Sequence, residues 1–409
     1  MSDLPRQVPT GREILIGVDG GASEVKAHHV LVLPGATADR AEPRAHNLAL
    51  GAASASCCYD AVRGFEPVPL AEQLVALERE RVRPKRSEIA QGEMWIDAAA
   101  RTIAAVAAEA ADDDRPRIRV GVCFPGLKTA DGRGLAVVRN GPRIPDFLDR
   151  LEERLDRSSL ELAHPIPPLL SDGDACGIGE NVHVHGMLRA ASSAYYIGGG
   201  TGLAEALKLH GEVVSFDALR GWMPKAWAME SRIGGSFEQR ISMGGINVAY
   251  AARSGRRVPV QDDEFPEQRA ARGDAIAMEV MHVAARALAE LVFERMHVLA
   301  KGRRAVWPST FLDRIVFGQR LAHLFADESL REVFRDVVEV ALAQHILHGD
   351  DVALAEHYLD GSHVKSGLLR ASSLRSAPAL GAAAVALELG ESLPRPRQRE
   401  NWSAREARG

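Results

Sequence analysis

Four stretches of this chain set glycine, hydroxyl or carboxylate side chains at the end of a short apolar run. The first is Ile14-Leu15-Ile16-Gly17-Val18-Asp19-Gly20-Gly21-Ala22-Ser23. A short apolar run bounded by glycines reads as a buried strand. Glycines after it let the backbone approach a phosphate closely, with amide N–H groups donating and Ser23 Oγ as one more donor. Asp19, at the strand's end, is placed to hold Mg²⁺ through water, because Mg²⁺ prefers a carboxylate or two together with phosphate oxygens. An ordinary tight turn after a strand has the same composition, so this stretch does not decide alone. The others, in order, are Pro125-Gly126, Ser171-Asp172-Gly173-Asp174 and Gly200-Thr201-Gly202. In open α/β sheets ligands bind outside the carboxyl ends of the strands. Two glycine-rich turns with an acid between them fit a nucleotide held in a cleft between two lobes.

The elements that must position these residues follow from periodicity. Val25 to Leu33 alternates weakly and continues the opening strand as a meander, with a turn region from Pro34 to Pro43. Residues 66–92 are polar and basic in places, a solvated helix face or loop. Met94 to Ala111 carries Trp95, Ile96, Ala99, Ile103 and Val106 at helical spacing, a packing helix. Ile118 to Phe124, Leu135 to Val138 and Leu169-Leu170 are strands, and Phe147 to Leu155 is a short amphipathic helix. Strands alternating with helices over the first 180 residues argue for an α/β lobe. Ala194 to Ile197 opens a second one, and His210-Gly211 between Ala206–Leu209 and Val213-Val214 reads as a hairpin turn. Ile276 to Leu299 is a long helix with Asp274 as its N-cap. Ile315-Val316-Phe317 is another strand, ending at Gly318, and Leu380 to Leu387 is a helix of small residues.

A length of 409 residues is too great for one core, so two lobes are expected. The boundaries are read as a loose leader at 1–12, an N-terminal lobe at 13–178, a C-terminal lobe at 179–377, and a disordered tail at 392–409. The formal net charge of −5 gives no electrostatic case for a nucleic-acid partner. No apolar run approaches a membrane span, and the polar, proline-containing start is no signal peptide, so a cytoplasmic protein is expected. Cys57, Cys58, Cys123 and Cys176 have no zinc-ligand spacing and read as reduced thiols. Asp112-Asp113-Asp114 reads as a solvated loop rather than a metal site. His183-Val184-His185 reads as a half-exposed pair rather than metal ligands, and Trp222 and Trp227 as core packing rather than a sugar platform.

In order and spacing the chain resembles the ROK family of bacterial sugar kinases, within the actin, hexokinase and Hsp70 ATPase fold, from about residue 13 to 390. Ile16–Ser23 resembles the family's first phosphate motif, and Gly121-Val122-Cys123-Phe124-Pro125-Gly126 its G-x-x-x-P-G strand end. Leu170–Glu180 resembles its E-N-D-A-N-A-A-A-x-G-E segment, and Gly200-Thr201-Gly202 its second phosphate motif. Ile315–Gly318 resembles the adenosine-side strand, and Leu380-Gly381-Ala382-Ala383 the closing G-A-A helix, here 378–391, which packs back on the first lobe. The resemblance implies a two-lobed α/β fold of the ribonuclease H type with a nucleotide cleft between lobes. It implies phosphorylation of a sugar hydroxyl, hexose or amino sugar, with ATP and Mg²⁺ as cofactors. Asp172 maps onto the catalytic base, which orients the attacking hydroxyl and takes its proton. Asp19, Gly20, Gly21, Ser23, Gly200, Thr201, Gly202 and Gly318 map onto nucleotide contacts, with Asp19 also holding Mg²⁺. Gly126, Asn140, Arg143, Ser171 and Glu230 are the substrate-contact candidates. A homodimer is implied by the resemblance as well.

Departures from the family pattern are equally legible. Ser171 stands where the family has Asn, and Glu205, between Ala204 and Ala206, follows the second phosphate turn where glycines are usual. A carboxylate there repels a triphosphate unless it is turned away. No G-E-x-G-H sugar clamp is readable in Phe216–Pro224, Gly318-Gln319 replaces a diglycine, and with no cysteine after Cys176 no structural zinc is expected. Asp172 has a structural alternative as a helix N-cap, for which Asp174 is the better candidate. A non-catalytic ATP- or sugar-binding regulator on the same fold is the competing expectation. The dozen or so residues before the first strand are too few for an N-terminal DNA-binding module.

Overall fold

Isoleucine, leucine and valine between Glu13 and Asp19 make strand β1 (Glu13–Gly20), whose Leu15, Ile16 and Val18 are buried. The protein is described by a computed structural model covering residues 13–34, 47–111, 115–255, 265–303, 306–349 and 351–390. The expected leader and tail, most of the turn after Pro34, and Asp112–Asp114 lie outside the described residues.

From β1 the chain reverses at Gly21-Ala22-Ser23 into the antiparallel β2 (Glu24–Leu33), to which β3 (Asn47–Cys58) adds antiparallel. Helices α1 (Leu70–Glu78) and α2 (Arg86–Ala110) follow, and α2 buries Trp95, Ile96, Ala99, Ile103 and Val106 as its spacing predicts. It starts at Arg86, not at Met94, because Glu88 accepts the Lys85 amide (2.8 Å) and closes the first turn. Strand β4 (Arg117–Phe124) runs parallel to β1 and sets Cys123 beside Asp19. A small hairpin, β5 (Leu127–Lys128) and β6 (Leu135–Val137), precedes α3 (Phe147–Asp156). Strands β7 (Glu161–Leu162) and β8 (Leu170–Ser171) both lie parallel to β4. The sheet order is β3-β2-β1-β4-β7, with β8 also on β4. Helix α4 (Asp172–Val182) leaves it.

The same plan repeats. β9 (Ala194–Gly199) turns at Gly200-Thr201-Gly202 into the antiparallel β10 (Leu203–Leu209), and β11 (Glu212–Val214) follows through His210-Gly211. Both turn residues have positive φ (52° and 90°), as a hairpin turn of this twist requires. Helices α5 (Phe237–Ile241), α6 (Met243–Ser254), α7 (Pro266–Ala271) and the long α8 (Ala275–Lys301) come next. Asp274 caps α8, its carboxylate accepting Ala277 N (3.0 Å). Strand β12 (Arg314–Gly318) is parallel to β9. Helices α9 (Gln319–Ala326), α10 (Asp336–His348) and α11 (Val352–Tyr358) lead to a two-strand ribbon, β13 (Leu359–Asp360) and β14 (His363–Val364). Strand β15 (Leu369–Ala371) pairs parallel with β12, so the second order, β11-β10-β9-β12-β15, matches the first.

The chain ends its described part in α12 (Ala377–Gly390). Each departing helix covers the other sheet. A Cβ on Gly17 would sit 1.9 Å from Ala379 O, and one on Gly121 1.8 Å from Ala382 O, so α12 rests directly on β1 and β4. Likewise Gly173 of α4 lies against β10, a Cβ there falling 2.2 Å from Glu205 O. The two helices also meet, Gly381 against Ala175 O (1.9 Å). Only glycine permits these approaches. Among the described residues no helix is long and apolar enough to cross a membrane.

Candidate functional site

β1, β4 and β8 run parallel, so Asp19, Pro125-Gly126 and Asp172 emerge at one end of the first sheet. Ser171 caps α4, its Oγ accepting Asp174 N (3.1 Å), and this answers the capping question. Neither aspartate is the cap. Asp174 is buried and holds the second lobe's loop, accepting Phe216 N (2.9 Å) and Ser215 Oγ (3.1 Å), and burial pushes its carboxyl up to about 6. Asp172 is half-buried, and its Oδ1 accepts the adjacent Gly173 amide (3.0 Å). Its Oδ2 has no hydrogen-bond partner among the described residues.

Asp19 faces it. Burial, and then the Asp172 charge, raise the Asp19 carboxyl to about 7, against smaller opposing pulls from Lys26 and the Cys123 thiol. The Asp172 charge is close enough to oppose ionisation of Asp19. A hard divalent cation relieves such a pair, and two carboxylates with phosphate oxygens make a donor set Mg²⁺ accepts. No cluster of three or more His, Cys, Asp or Glu that could hold a metal exists among the described residues, so phosphate oxygens are needed to complete any such site.

The raised Asp19 carboxyl has a measurable consequence. The folded state holds this proton more tightly than the unfolded chain, so its contribution to stability is full below about 4 and is lost as pH rises through about 7. Asp19→Asn should therefore melt on the order of 2 °C or more above the parent at pH 8 without divalent ions, and together with it at pH 4. Parallel melting curves at the two pH values check this.

The two glycine turns are equivalent hairpin ends. At the first, Gly21 N donates to Glu24 O (2.8 Å), Tyr59 OH donates to Gly21 O (3.1 Å), and Ser23 is exposed. Gly20 has the Phe124 ring 2.2 Å from where a Cβ would lie. At the second, Gly200 N donates to Gly202 O (2.9 Å) and Met243 N to Gly200 O (3.0 Å), so the start of α6 backs the turn. Thr201 is exposed. Glu205 is turned away from it. One of its oxygens accepts Tyr195 OH (2.7 Å) and Arg295 Nη2 (2.6 Å), and the other accepts Ala226 N (2.6 Å), all inside the second lobe.

Gly318 is buried against Tyr196, whose OH lies 1.9 Å from an added Cβ, so only glycine fits there. The residue that faces the turn is Gln319, at φ 54°, with its amide carbon 3.0 Å from an added Cβ on Gly198 and its Oε1 3.5 Å from one on Gly200.

The substrate candidates separate. Gly126 (φ 96°) shapes the turn before β5, and its carbonyl accepts Lys128 Nζ (2.7 Å). Arg143 is 5 % exposed, with Nε and Nη2 on the Glu88 carboxylate (2.8 and 2.5 Å) and Nη2 on Arg83 O (3.2 Å). These bonds make it a strut of the loop. Ser171 is likewise committed to its cap. Asn140 is exposed at the loop tip that Arg143 braces. Glu230 is exposed in a bridge with Ser236, and no described contact joins it to the crevice carboxylates. Trp222 stacks on Trp307 (6.4 Å between centroids), as core packing predicts.

Charged residues that periodicity did not single out gather near Asp172. Lys128 Nζ donates to Phe124 O (2.8 Å) and Gly126 O, and burial draws it down to about 8 while Asp217 and Asp172 oppose that shift. Asp217 pairs with Lys225 (2.5 Å) in the loop where no sugar clamp was legible. A cavity of about 600 Å³ is lined by Lys128, Thr129, Ser171, Asp174, Asp217 and Arg220, among others. The only advance signal was the position of Lys128, two residues past Pro-Gly.

Neither a protein-family model nor a curated protein matches this sequence. Solved structures do. A ROK family glucokinase from Streptomyces griseus, in complex with glucose and AMPPNP, matches over 92 % of this chain and 99 % of its own, at TM-score 0.57 and 13 % identity. A ROK hexokinase from Thermus thermophilus matches over 92 % and 99 %, at TM-score 0.52 and 16 % identity. A ROK family transcriptional regulator, homologous to the E. coli MLC protein, matches over 92 % and 78 %, at TM-score 0.51 and 13 % identity. At such identities the likeness is one of architecture: this chain has the two-lobed, actin-like α/β fold found in ROK-family sugar kinases and in a ROK-family regulator.

Proposed function

We propose that this protein is an ATP-dependent sugar kinase that phosphorylates a hydroxyl of a hexose or amino sugar. The observation that carries the reading is that Asp19 and Asp172 emerge at the same end of one sheet, near enough for the Asp172 charge to raise the buried Asp19 carboxyl. Asp172, with an oxygen free of protein partners, orients the sugar hydroxyl and accepts its proton. Asp19 is the residue that would hold a magnesium ion. Bound there, Mg²⁺ would neutralise charge on the phosphates as the phosphoryl group moves. Gly20, Gly21 and Ser23 on one side, and Gly200, Thr201 and Gly202 on the other, form compact turns that the triphosphate would approach, with the exposed Ser23 and Thr201 hydroxyls as donors. The 600 Å³ cavity, lined by Lys128 and Ser171 from the first lobe and by Ser215, Asp217 and Arg220 from the second, supports a sugar seat, with Asn140 exposed on a separate loop tip. A second cavity, of about 430 Å³ between α7 and α9, lies past the end of β12 and suits the nucleoside end. We place the lobes at 13–178, completed by 378–391, and at 179–377, and expect a cytoplasmic enzyme that assembles as a homodimer, without a nucleic-acid or membrane partner.

The test is ADP release in a coupled assay over a panel of hexoses and amino sugars. Turnover on at least one sugar supports the reading, and absence of turnover on all of them, with ATP bound, removes it. A second reading, a non-catalytic sugar- or ATP-binding regulator, is favoured by one observation: Gln319 lies across the glycine turn. It predicts a raised melting midpoint with ligand and no ADP. If Asp19 must ionise to hold Mg²⁺, the apparent Kd of Mg·ATP should weaken about tenfold per pH unit below about 7. Calorimetry between pH 5.5 and 8.5 measures that slope.

A further inference from the structure

The loop between β6 and α3 is held at three points. Buried Gln73 clamps Val138 through both backbone groups, donating to its O (2.9 Å) and accepting its N–H (2.7 Å). Gly141 lies on Trp95, whose ring is 2.3 Å from an added Cβ, and Arg143 is tied to Glu88. Between these anchors only Arg139 and Asn140 are left exposed. So much buried support for a two-residue tip points to a purpose for the tip.

Arg139 reaches the other lobe and pairs with Glu238 of α5. Among the ion pairs of the described residues, this one joins the first sheet's lobe to the second. Glu238 is itself set against the second glycine turn: its Oε2 accepts Leu203 N (3.0 Å) and lies 2.8 Å from an added Cβ on Gly202. Arg139 is thus one carboxylate away from Gly200-Thr201-Gly202. A lone carboxylate in that position would repel an incoming phosphate, and the guanidinium cancels it. The Arg139 side chain is 44 % exposed and Glu238's is 12 %, so the arginine is the partner free to move. A half-exposed ion pair is weakly held. A phosphate group offers the guanidinium a second, doubly charged partner.

We propose that Arg139 is a donor-phosphate ligand anchored on Glu238, and that its guanidinium bridges the carboxylate and the phosphate chain when the glycine turn is occupied. The inference rests on the kinase reading above. It makes Arg139 a residue that senses the donor and draws the first lobe toward it, because the same side chain spans the crevice.

The test uses the full chain with Mg·ATP as probe, by calorimetry and by steady-state kinetics on the sugar that turns over. Arg139→Gln should raise the Kd and KM for Mg·ATP about tenfold, the loss of one charge-assisted contact, with the KM for sugar unchanged. Arg139→Lys should recover part of that loss, since it keeps the charge without the fork. Equal Mg·ATP affinity in Arg139→Gln and the parent overturns the proposal, as does a matching rise in the sugar KM, which marks a strut between lobes. A parent that binds no nucleoside triphosphate overturns the kinase reading too. Melting curves of both variants confirm that each is folded before comparison.

Discussion

Asp172→Asn should turn over roughly 10²–10⁴-fold more slowly than the parent, the range associated with losing a positioned proton acceptor. Its Kd for Mg·ATP at pH 8.5, above the Asp19 midpoint, should be little changed. The amide keeps the size of the side chain and can still donate to or accept from the sugar hydroxyl, but it cannot take the proton. Asp172 opens α4 without capping it, since Ser171 already satisfies the Asp174 amide, so the substitution leaves the helix start intact. A second readout is independent of turnover. The Asp172 charge is the next cause after burial of the raised Asp19 carboxyl, so the pH midpoint for Mg·ATP binding should fall in this variant. A variant as active as the parent would remove Asp172 from the chemistry.

Arg295→Ala should destabilise the fold by about 3–5 kcal/mol, the usual cost of stranding one member of a buried ion pair. Arg295 and Glu205 side chains are 1 % and 2 % exposed, and Glu205 also receives the Tyr195 hydroxyl and the Ala226 amide. Removing the guanidinium leaves a carboxylate buried among neutral groups, where protonation is its way out. The loss should therefore shrink as pH falls. Replacing both members, by Arg295→Met with Glu205→Gln, should cost less than the single change. Denaturant unfolding at pH 5 and 8 measures both, and a cost under about 1 kcal/mol for Arg295→Ala at pH 8 contradicts the assignment.

The Glu205 result shows where one-dimensional reading stops. Its place after a glycine turn was visible, and so was the question it raised. Its partner lies 90 residues away on α8, a separation that no local periodicity spans. The Arg143 pairing was hidden for the same reason, because Glu88 is 55 residues distant. Strands with branched apolar runs, β1, β4, β9 and β12, were legible, as were the α8 cap and the His210-Gly211 turn. β3 was not, since Asn47–Cys58 is mostly alanine, glycine and serine, and its pairing with β2 makes it a strand despite weak propensity. The capping ambiguity at Asp172 and Asp174 needed coordinates, because serine, one residue earlier, outcompetes both.

The helix that closes the first sheet follows the whole second lobe in the sequence. Until α12 leaves the ribosome, β1 and β4 lack the cover that rests on Gly17 and Gly121. The first lobe should therefore stay protease-sensitive, and dependent on chaperones, until the second lobe has been made. A chain truncated before Ala377 should be lost to aggregation rather than accumulate as a stable half.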